Sequence, residues 1–248
     1  MYDIDGKSAL ITGGTRGIGL GIARAVLARG GKVVLNGREN TADADALVEE
    51  YGAGRVAIEL ADVSVPEQAA DLVGRAASRF NRIDMLVHAA GGPAPGTALD
   101  LSTESWMQAF AIHVHAVFHL FRQAHPFLAK QGGAVLLVSS VAGLRGCPGT
   151  VAYQTVKGAL LPMARALAFD HAHEDIRVNV IAPGIIRTRF HDAMTDTAKA
   201  HNLQNRIPLR REGTIEDVAT AALELMCNPF ITGELMTVDG GMSMRITG

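Results

Sequence analysis

The 248-residue chain lacks several features that mark common classes of protein. Its two cysteines, Cys147 and Cys227, lie far apart with no thiol or histidine at close spacing, which excludes a disulfide framework and argues against a zinc site. No apolar run reaches the length of about 20 residues that a membrane-spanning helix needs. The N-terminus has no basic region followed by an apolar stretch. We therefore expect reduced thiols and a cytoplasmic protein.

An excess of charge of one sign is also lacking. The chain has 23 Lys and Arg against 25 Asp and Glu, a formal net charge of -2, so it has no basic field to attract nucleic acid or anionic lipid. We expect small-molecule partners, with no nucleic acid and no membrane. The length and the 48% hydrophobic content fit one large α/β domain about as well as two small ones.

Short apolar runs alternate with longer segments of helical periodicity along the chain. The runs are SALIT (8–12), KVVLN (32–36), RVAIEL (55–60), DMLVHAA (84–90), GAVLLVSS (133–140), IRVNVIAP (176–183) and LMTVD (235–239). This alternation predicts repeated βα units and a parallel sheet, and runs that are apolar throughout indicate helices on both faces. Two irregular stretches, 91–105 and 185–214, are predicted to be binding loops or a lid.

A glycine-rich turn follows the first predicted strand. The sequence TGGTRGIG places Gly13, Gly17 and Gly19 just before the helical segment LGIARAVLARG. Glycines let the backbone approach a pyrophosphate, whose charge a helix N-terminus can then hold. The spacing G-x-x-x-G-x-G differs from the G-x-G-x-x-G fingerprint, and alone it could be only a tight βα loop. Its position after the first strand favours a dinucleotide site.

A tyrosine and a lysine lie one helical turn apart in SVAGLRGCPGTVAYQTVKGAL (140–160). Tyr153 and Lys157 share a helix face, and an ammonium group beside a phenol lowers the phenol pKa towards neutrality by stabilising the phenolate. Ser140, at the end of the fifth predicted strand, could donate to a carbonyl oxygen that develops charge. An isolated Tyr-x-x-x-Lys could also be an ordinary polar pair on a helix surface.

In combination, these motifs resemble those of the short-chain dehydrogenase/reductase family. Ser140 precedes Tyr153 by thirteen positions, the usual spacing of the family. The other matching segments, all in the family's order, are the glycine turn, HAAG at 88–91, Tyr153-x-x-x-Lys157 and NVIAPG at 179–184. The resemblance covers nearly the whole chain and implies carbonyl/alcohol interconversion with a nicotinamide cofactor.

The resemblance also implies the architecture. We expect one α/β domain over residues 1–248, a doubly wound Rossmann-type fold with a seven-stranded, mainly parallel sheet and helices on both faces. The cofactor half is expected at about 1–140, and the catalytic helix and substrate lid at about 141–248. Because the family usually forms dimers or tetramers and the helices flanking the fifth strand are rich in apolar surface, we predict a homo-oligomer, a homotetramer or a dimer.

By resemblance, Tyr153 transfers the proton, Ser140 orients the substrate oxygen, and Lys157 serves both the phenol and the cofactor ribose. His113 stands where the family usually has an asparagine that supports a water in the proton relay. An imidazole there could hold that water or even titrate near neutrality, or the side chain could merely fill space.

Three other histidines carry weaker signals. His88 replaces a second asparagine common in the family, and we expect it to be a core histidine whose ring is hydrogen-bonded to the backbone. His115 and His119 share a helix face, but the sequence shows no third ligand beside them. We therefore predict no metal site.

The end of the second strand, VVLNGREN, decides the choice of cofactor. The predicted strand (32–36) ends in Asn36, with no acidic residue at its end to bind the ribose hydroxyls, and Arg38 and Arg16 could flank a 2′-phosphate, so we predict NADP rather than NAD. Either arginine could instead simply be solvated. The predicted cofactor-binding residues, most of them by resemblance, are Gly13, Thr15, Arg16, Gly17, Ile18, Gly19, Asn36, Arg38, Asp62, Val63, Ala90, Gly91, Tyr153, Lys157, Pro183, Gly184, Ile186 and Thr188.

The substrate is the least determined feature. The C-terminal segment from RIPLRREG to TVDGG resembles the tail of 3-oxoacyl-carrier-protein reductases, which implies NADP-dependent reduction of a ketone to a secondary alcohol. Sugar or polyol dehydrogenases share much the same tail and remain an alternative. A nucleotide-sensing protein without turnover is another, against which the intact Ser140, Tyr153 and Lys157 argue.

Overall fold

A computed structural model of the protein describes residues 4–188 and 194–244, so part of the predicted loop 185–214 and both chain ends lie outside the described residues. Its seven strands form one sheet in the order β3-β2-β1-β4-β5-β6-β7, and every neighbouring pair is parallel. The strands are β1 (Ser8–Thr12), β2 (Lys32–Gly37), β3 (Val56–Leu60), β4 (Met85–His88), β5 (Gly133–Val138), β6 (Ile176–Pro183) and β7 (Leu235–Val238).

Within the described residues, eight α-helices connect and cover these strands. They are α1 (Gly17–Ala28), α2 (Ala42–Tyr51), α3 (Pro66–Phe80), α4 (Thr103–Phe110), α5 (Ala116–Leu128), α6 (Val151–His171), α7 (Asp196–His201) and α8 (Ile215–Cys227). A π-helical turn, Ala111–His115, joins α4 to α5. Side-chain oxygens of Ser or Thr cap the N-termini of α2, α4, α7 and α8, as expected for residues that satisfy the unpaired amides there.

The two faces of the sheet bury separate apolar layers. Ile11 of β1 packs in the layer that includes α1, α2 and α8, whereas the neighbouring Leu10 packs in the layer of α3, α5 and α6. This alternation follows from the pleat, in which successive side chains point to opposite faces. Both faces are therefore covered, and the predicted Rossmann-type fold is confirmed.

The predicted strands β4 and β5 end earlier than the apolar runs suggested. The sequence predicted strands to residues 90 and 140, but β4 ends at His88 and β5 at Val138. The next residues still extend each strand by one hydrogen bond, from Ala89 N to Thr12 O and from Ser139 N to Ile181 O. Beyond these bonds the chain leaves the sheet and forms the rim of a crevice.

This crevice lies at the carboxyl ends of β1 and β4, where the strand order reverses. Crossover connections on opposite faces separate at such a point, and ligands of open α/β sheets bind there. Over residues 4–188 and 194–244, no helix has both the length and the apolar character needed to cross a membrane.

Candidate active site

One cavity of about 1230 Å³ opens at the carboxyl edge of the sheet. It is larger than the roughly 300–1,000 Å³ typical of a single-ligand pocket, so it has room for a dinucleotide and a second molecule. Every residue that the sequence assigned to catalysis or cofactor binding lines this cavity. The structure therefore brings the whole predicted set together, while the role of each residue stays a prediction.

The glycine turn forms one end of the cavity and fits a pyrophosphate. Gly13 has φ +64°, and a Cβ at this position would lie 2.8 Å from the backbone of Ala89 and Ala90. The turn is tied to β2 by a bond from Gly14 N to Asn36 O of 2.8 Å. Because Arg16 at the N-cap of α1 makes no side-chain cap, the first amides of this helix are left for an anionic ligand.

Arg16 and Arg38 lie on the cavity wall beyond the end of β2. Arg16 forms an ion pair of 3.6 Å with Glu39, and both side chains are exposed. The side-chain nitrogen of Asn36 donates to the carbonyl oxygens of Glu59 and Ala61, at 3.0 and 3.2 Å. This nitrogen joins β2 to β3, so a ribose contact by Asn36 would have to use other atoms of the residue.

The catalytic candidates line the same cavity. Ser140 follows β5, its Oγ accepts a bond of 3.2 Å from Ala142 N, and its side chain is hydrogen-bonded to the Tyr153 phenol. Lys157 Nζ donates to Val138 O at 2.8 Å and lies 5.8 Å from the centroid of the Tyr153 ring. The i and i+4 positions on α6 thus put both groups on the face towards the cavity.

Burial controls the ionisation of this pair. It lowers the pKa of Lys157 to about 7, because the ammonium is removed from water. Burial also raises the pKa of Tyr153, and the hydrogen bond with Ser140 offsets this only in part. The structure therefore does not show the lowered phenol pKa that the sequence predicted, because loss of hydration raises the pKa of Tyr153 by more than the hydrogen bond with Ser140 lowers it.

His113 lies on the π-helical turn with its ring edge-on to Tyr153, at a centroid distance of 5.9 Å. Its Nε2 is 3.1 Å from Gly92 O, whereas its Nδ1 is buried and has no hydrogen-bond partner among the described residues. Gly91 makes room for the ring, because a Cβ there would lie 2.1 Å from His113 Cε1. π-Helical turns inside longer helices often occur at functional sites.

The suggestion that His113 titrates near neutrality is wrong. Burial, followed by the nearby Lys157 ammonium, lowers the pKa of His113 to about 2. The imidazole is therefore neutral at physiological pH and can act only as a hydrogen-bonding group. Two hypotheses for His113 remain: its Nδ1 supports a water, or the side chain simply fills space.

Of the other histidines that the sequence singled out, His88 has a structural role. His88 is buried with Nδ1 3.0 Å from Thr12 Oγ1 and Nε2 3.0 Å from Ile112 O, which confirms a hydrogen-bonded core histidine. Burial lowers its pKa to about 3. Neither His115 nor His119 belongs to a group of three potential metal ligands in the described part of the chain.

The far end of the cavity combines predicted and unpredicted residues. Gly184 packs against the Asp239 backbone, and Ile186 pairs with Gly213 in an isolated parallel bridge, with Thr188 next to them on the wall. Two arginines that were not predicted from the sequence, Arg145 and Arg206, also line the cavity. Their only sequence signal is their location, in the loop before Tyr153 and in the stretch 185–214.

Comparison with known proteins gives consistent matches over nearly the full chain. The family model described as enoyl-(acyl carrier protein) reductase, a model of short-chain dehydrogenases/reductases, matches residues 13–243. A 3-oxoacyl-[acyl-carrier-protein] reductase of Chlamydia trachomatis is 33% identical over 243 residues, covering 96% of this chain and 97% of that protein. A tropinone reductase homologue of Arabidopsis thaliana is 32% identical over 251 residues, covering 98% and 95%.

A solved structure shows the same architecture. The blue fluorescent protein from a metagenomic library, crystallised in complex with NADPH, superimposes with a TM-score of 0.90 at 30% identity. The alignment covers 97% of this chain and 99% of that one. The likeness therefore extends over the cavity as well as the sheet.

Proposed function

The chain belongs to the short-chain dehydrogenase/reductase family and is an NAD(P)-dependent oxidoreductase of CH–OH groups, and from that premise we propose that it uses NADPH to reduce a 3-oxoacyl thioester to the 3-hydroxyacyl product. The observation that carries this proposal is the single cavity that joins the glycine turn to Ser140, Tyr153 and Lys157. The interpretation as a nucleotide sensor without turnover is set aside by family membership.

Tyr153 is the proton donor in this proposal. When bound, the reduced nicotinamide supplies the hydride to the carbonyl carbon, and the carbonyl oxygen takes the phenol proton as its charge develops. Ser140, already hydrogen-bonded to Tyr153, holds the same oxygen in line with the phenol. Lys157, whose pKa burial lowers to about 7, is able to return a proton to the phenolate near neutral pH.

His113 is a positioning residue in the same proposal. Its Nδ1 is a buried polar atom beside the catalytic pair, and leaving such an atom unpaired costs about 1–3 kcal/mol. A water that donates a hydrogen bond to Nδ1 of this ring would link Lys157 with bulk solvent. The asparagine that the family usually has at this position supports such a water. The neutral ring suits this part, since it both accepts and donates a hydrogen bond.

The choice of NADPH over NADH rests on two observations. Arg16 and Arg38 place guanidinium groups at the end of β2, where a 2′-phosphate would lie, and arginine matches phosphate geometry. The similar blue fluorescent protein was crystallised with NADPH. Asp62 and Val63 line the adjacent wall and are assigned to the adenine.

The thioester substrate is supported by two arginines of the cavity wall. Arg145 and Arg206 line the cavity, are exposed, and carry charge suited to an anionic carrier group such as a phosphate-bearing thioester arm. The Chlamydia relative carries the name of a 3-oxoacyl reductase at 33% identity. A relative named for a tropinone reductase has almost the same identity, so the sequence similarity alone does not select the substrate.

The proposal includes assembly into a dimer or tetramer through α5 and α6. Phe118 on α5 and Phe169 on α6 have exposed fractions of 55% and 87%, which is unusual for large apolar side chains of a monomer. Light scattering of the purified chain tests this, and a monomer at working concentration would contradict it. The cytoplasmic location stays a prediction from the sequence.

Initial rates with a panel of substrates test the proposed activity. The panel comprises a 3-oxoacyl thioester and a neutral cyclic ketone, each with NADPH and with NADH, and a sugar alcohol with the oxidised forms of both cofactors. We expect the highest kcat/KM for the thioester with NADPH, and a selective loss of thioester reduction in Arg145→Ala. A highest kcat/KM for the sugar alcohol, or for NADH, would overturn the substrate or the cofactor.

A further inference from the structure

The amino edge of the sheet, opposite the active site, brings together two histidines and a glutamate. His125 lies near the end of α5, His171 is the last residue of α6, and Glu174 ends the 3₁₀ turn that follows. Both helices precede parallel strands that begin a few residues later, so their C-termini lie at the edge where β5 and β6 start. We define His125, His171 and Glu174 as the amino-edge cluster.

The potential ligand atoms of the amino-edge cluster already face one another. His125 Nε2 is 2.9 and 3.1 Å from the two carboxylate oxygens of Glu174, and His171 Nδ1 is 2.6 Å from Oε2. One ligand atom from each residue lies within 4.8 Å of the others. Zn²⁺ holds such atoms at about 2.0–2.2 Å, so side-chain shifts of about 1 Å would place all three around one ion.

The rings of the cluster are held in place by packing. The centroids of the His125 and His171 rings are 4.9 Å apart, and both rings lie against the buried Phe121, at 6.1 and 5.0 Å. Two imidazolium cations at this separation would repel each other, whereas neutral imidazoles and one carboxylate are a normal ligand set for a divalent transition metal. The exposed fractions of 24–31% leave access for water as a fourth ligand.

The sequence predicted no metal site, but from this geometry we propose that His125, His171 and Glu174 form a zinc site that joins the end of α5 to the end of α6. The ligand set of two imidazoles and a carboxylate, with water completing a tetrahedron, matches the preferences of Zn²⁺. The site replaces the hydrogen bonds between Glu174 and the two rings by three metal bonds. It lies at the edge of the sheet opposite Ser140 and Tyr153, so it ties together two helices and takes no part in the reaction.

Equilibrium dialysis of the full chain, without a histidine tag and after treatment with a chelator, measures zinc binding. We expect one Zn²⁺ per chain, and binding at least about tenfold weaker in His125→Gln and in Glu174→Gln, because even indirect partners of a metal are worth about 10–100-fold. The matched control is His173→Gln, which changes an exposed histidine of the same turn and leaves the cluster intact. It should bind zinc like the wild type.

A second measurement keeps the test valid if a variant folds poorly. Zn²⁺ should raise the thermal midpoint of the wild type and of His173→Gln, because a ligand that binds only the folded chain stabilises it. The same addition should leave the midpoint of His125→Gln unchanged. Less than one zinc per chain in the wild type, or equal affinity in His125→Gln and His173→Gln, would overturn the site.

Discussion

The two edges of the sheet both gather chemically active side chains, but they do so through different kinds of sequence pattern. At the carboxyl edge, the glycine turn is contiguous in the chain, and Tyr153 and Lys157 are four positions apart. At the amino edge, His125 and Glu174 are 49 positions apart and meet only because α5 and α6 end beside each other. Local spacing reveals the first kind of site, whereas the second becomes visible only in the folded chain.

If the reaction takes place only at the carboxyl edge of the sheet, loss of the Tyr153 hydroxyl there should abolish most of the activity. Replacing Tyr153 by Phe removes only the phenol oxygen, so kcat should fall by about 10²–10⁴-fold while NADPH affinity stays close to the wild-type value. The matched control is Tyr51→Phe on α2, which does not line the cavity and should retain activity. Initial rates and a fluorescence titration with NADPH measure both quantities. Similar rates for the two variants would place the proton donor elsewhere.

The preference for NADPH over NADH should depend on Arg38, which lines the cavity at the same edge of the sheet. Arg38→Asp should weaken NADPH binding by more than about tenfold and NADH binding much less, since a lost charge-assisted hydrogen bond costs about 1.5–3 kcal/mol. Arg24→Asp is the control, because Arg24 pairs with Glu50 outside the cavity. The dissociation constants of both cofactors for both variants check this. Equal losses of NADPH and NADH affinity in Arg38→Asp would refute the phosphate contact.

The buried lysine should make the stability of the unliganded chain depend on pH. The pKa of Lys157 is about 7 in the folded chain against 10.5 as its ordinary value, so the unfolded state binds more protons between these limits. The free energy of unfolding should therefore rise with pH from about 7 to 9, by at most about 1.4 kcal/mol per pH unit from this group. Lys157→Met should remove this rise. Urea unfolding at both pH values measures it, and an unchanged slope in the variant would contradict the buried, shifted lysine.

The smallest expected effect concerns His113. Losing one hydrogen bond to the relay should lower kcat of His113→Leu by roughly three- to tenfold, whereas His113→Asn should retain most of the activity by restoring an amide. Because its pKa is about 2, His113 stays neutral, and neither variant should change the shape of the profile of kcat against pH. Equal activity of His113→Leu and wild type would make the residue a packing residue. An equal loss in both variants would also refute a relay role, since the asparagine should rescue it.

Much of the fold follows from the sequence because the strands are buried on both faces. The runs at 8–12 and 176–183 are mostly apolar, and β1 and β6 occupy those ranges with every residue buried. The ends of β4 and β5 were predicted two residues too far along, because Ala89 and Ser139 keep only one hydrogen bond each to the neighbouring strand and the residues after them leave the sheet. The π-helical turn around His113 was also not predicted, since one extra residue in a helical turn leaves almost no trace in the periodicity.

The candidate active site, like the fold, was predicted from the sequence only in part. The positions of Ser140, Tyr153 and Lys157 in one cavity follow from motif order, and the structure brings all three together. The pKa directions could not be predicted, because they depend on how completely the folded chain removes Tyr153, Lys157 and His113 from water. Arg145 and Arg206 were missed because the loops that carry them show no regular pattern.

Single-turnover reduction tests most directly whether the chain reduces a 3-oxoacyl thioester with NADPH and whether Tyr153 donates the proton. Enzyme loaded with one equivalent of NADPH is mixed with an excess of a 3-oxoacyl thioester, and NADPH fluorescence is followed with product analysis. We expect that one NADPH is consumed and one 3-hydroxyacyl product formed per active site in the wild type, and that Tyr153→Phe with NADPH bound shows almost no consumption on the same timescale. Wild-type enzyme that binds NADPH but leaves it unoxidised with the thioester, or a Tyr153→Phe variant as fast as the wild type, would contradict this expectation.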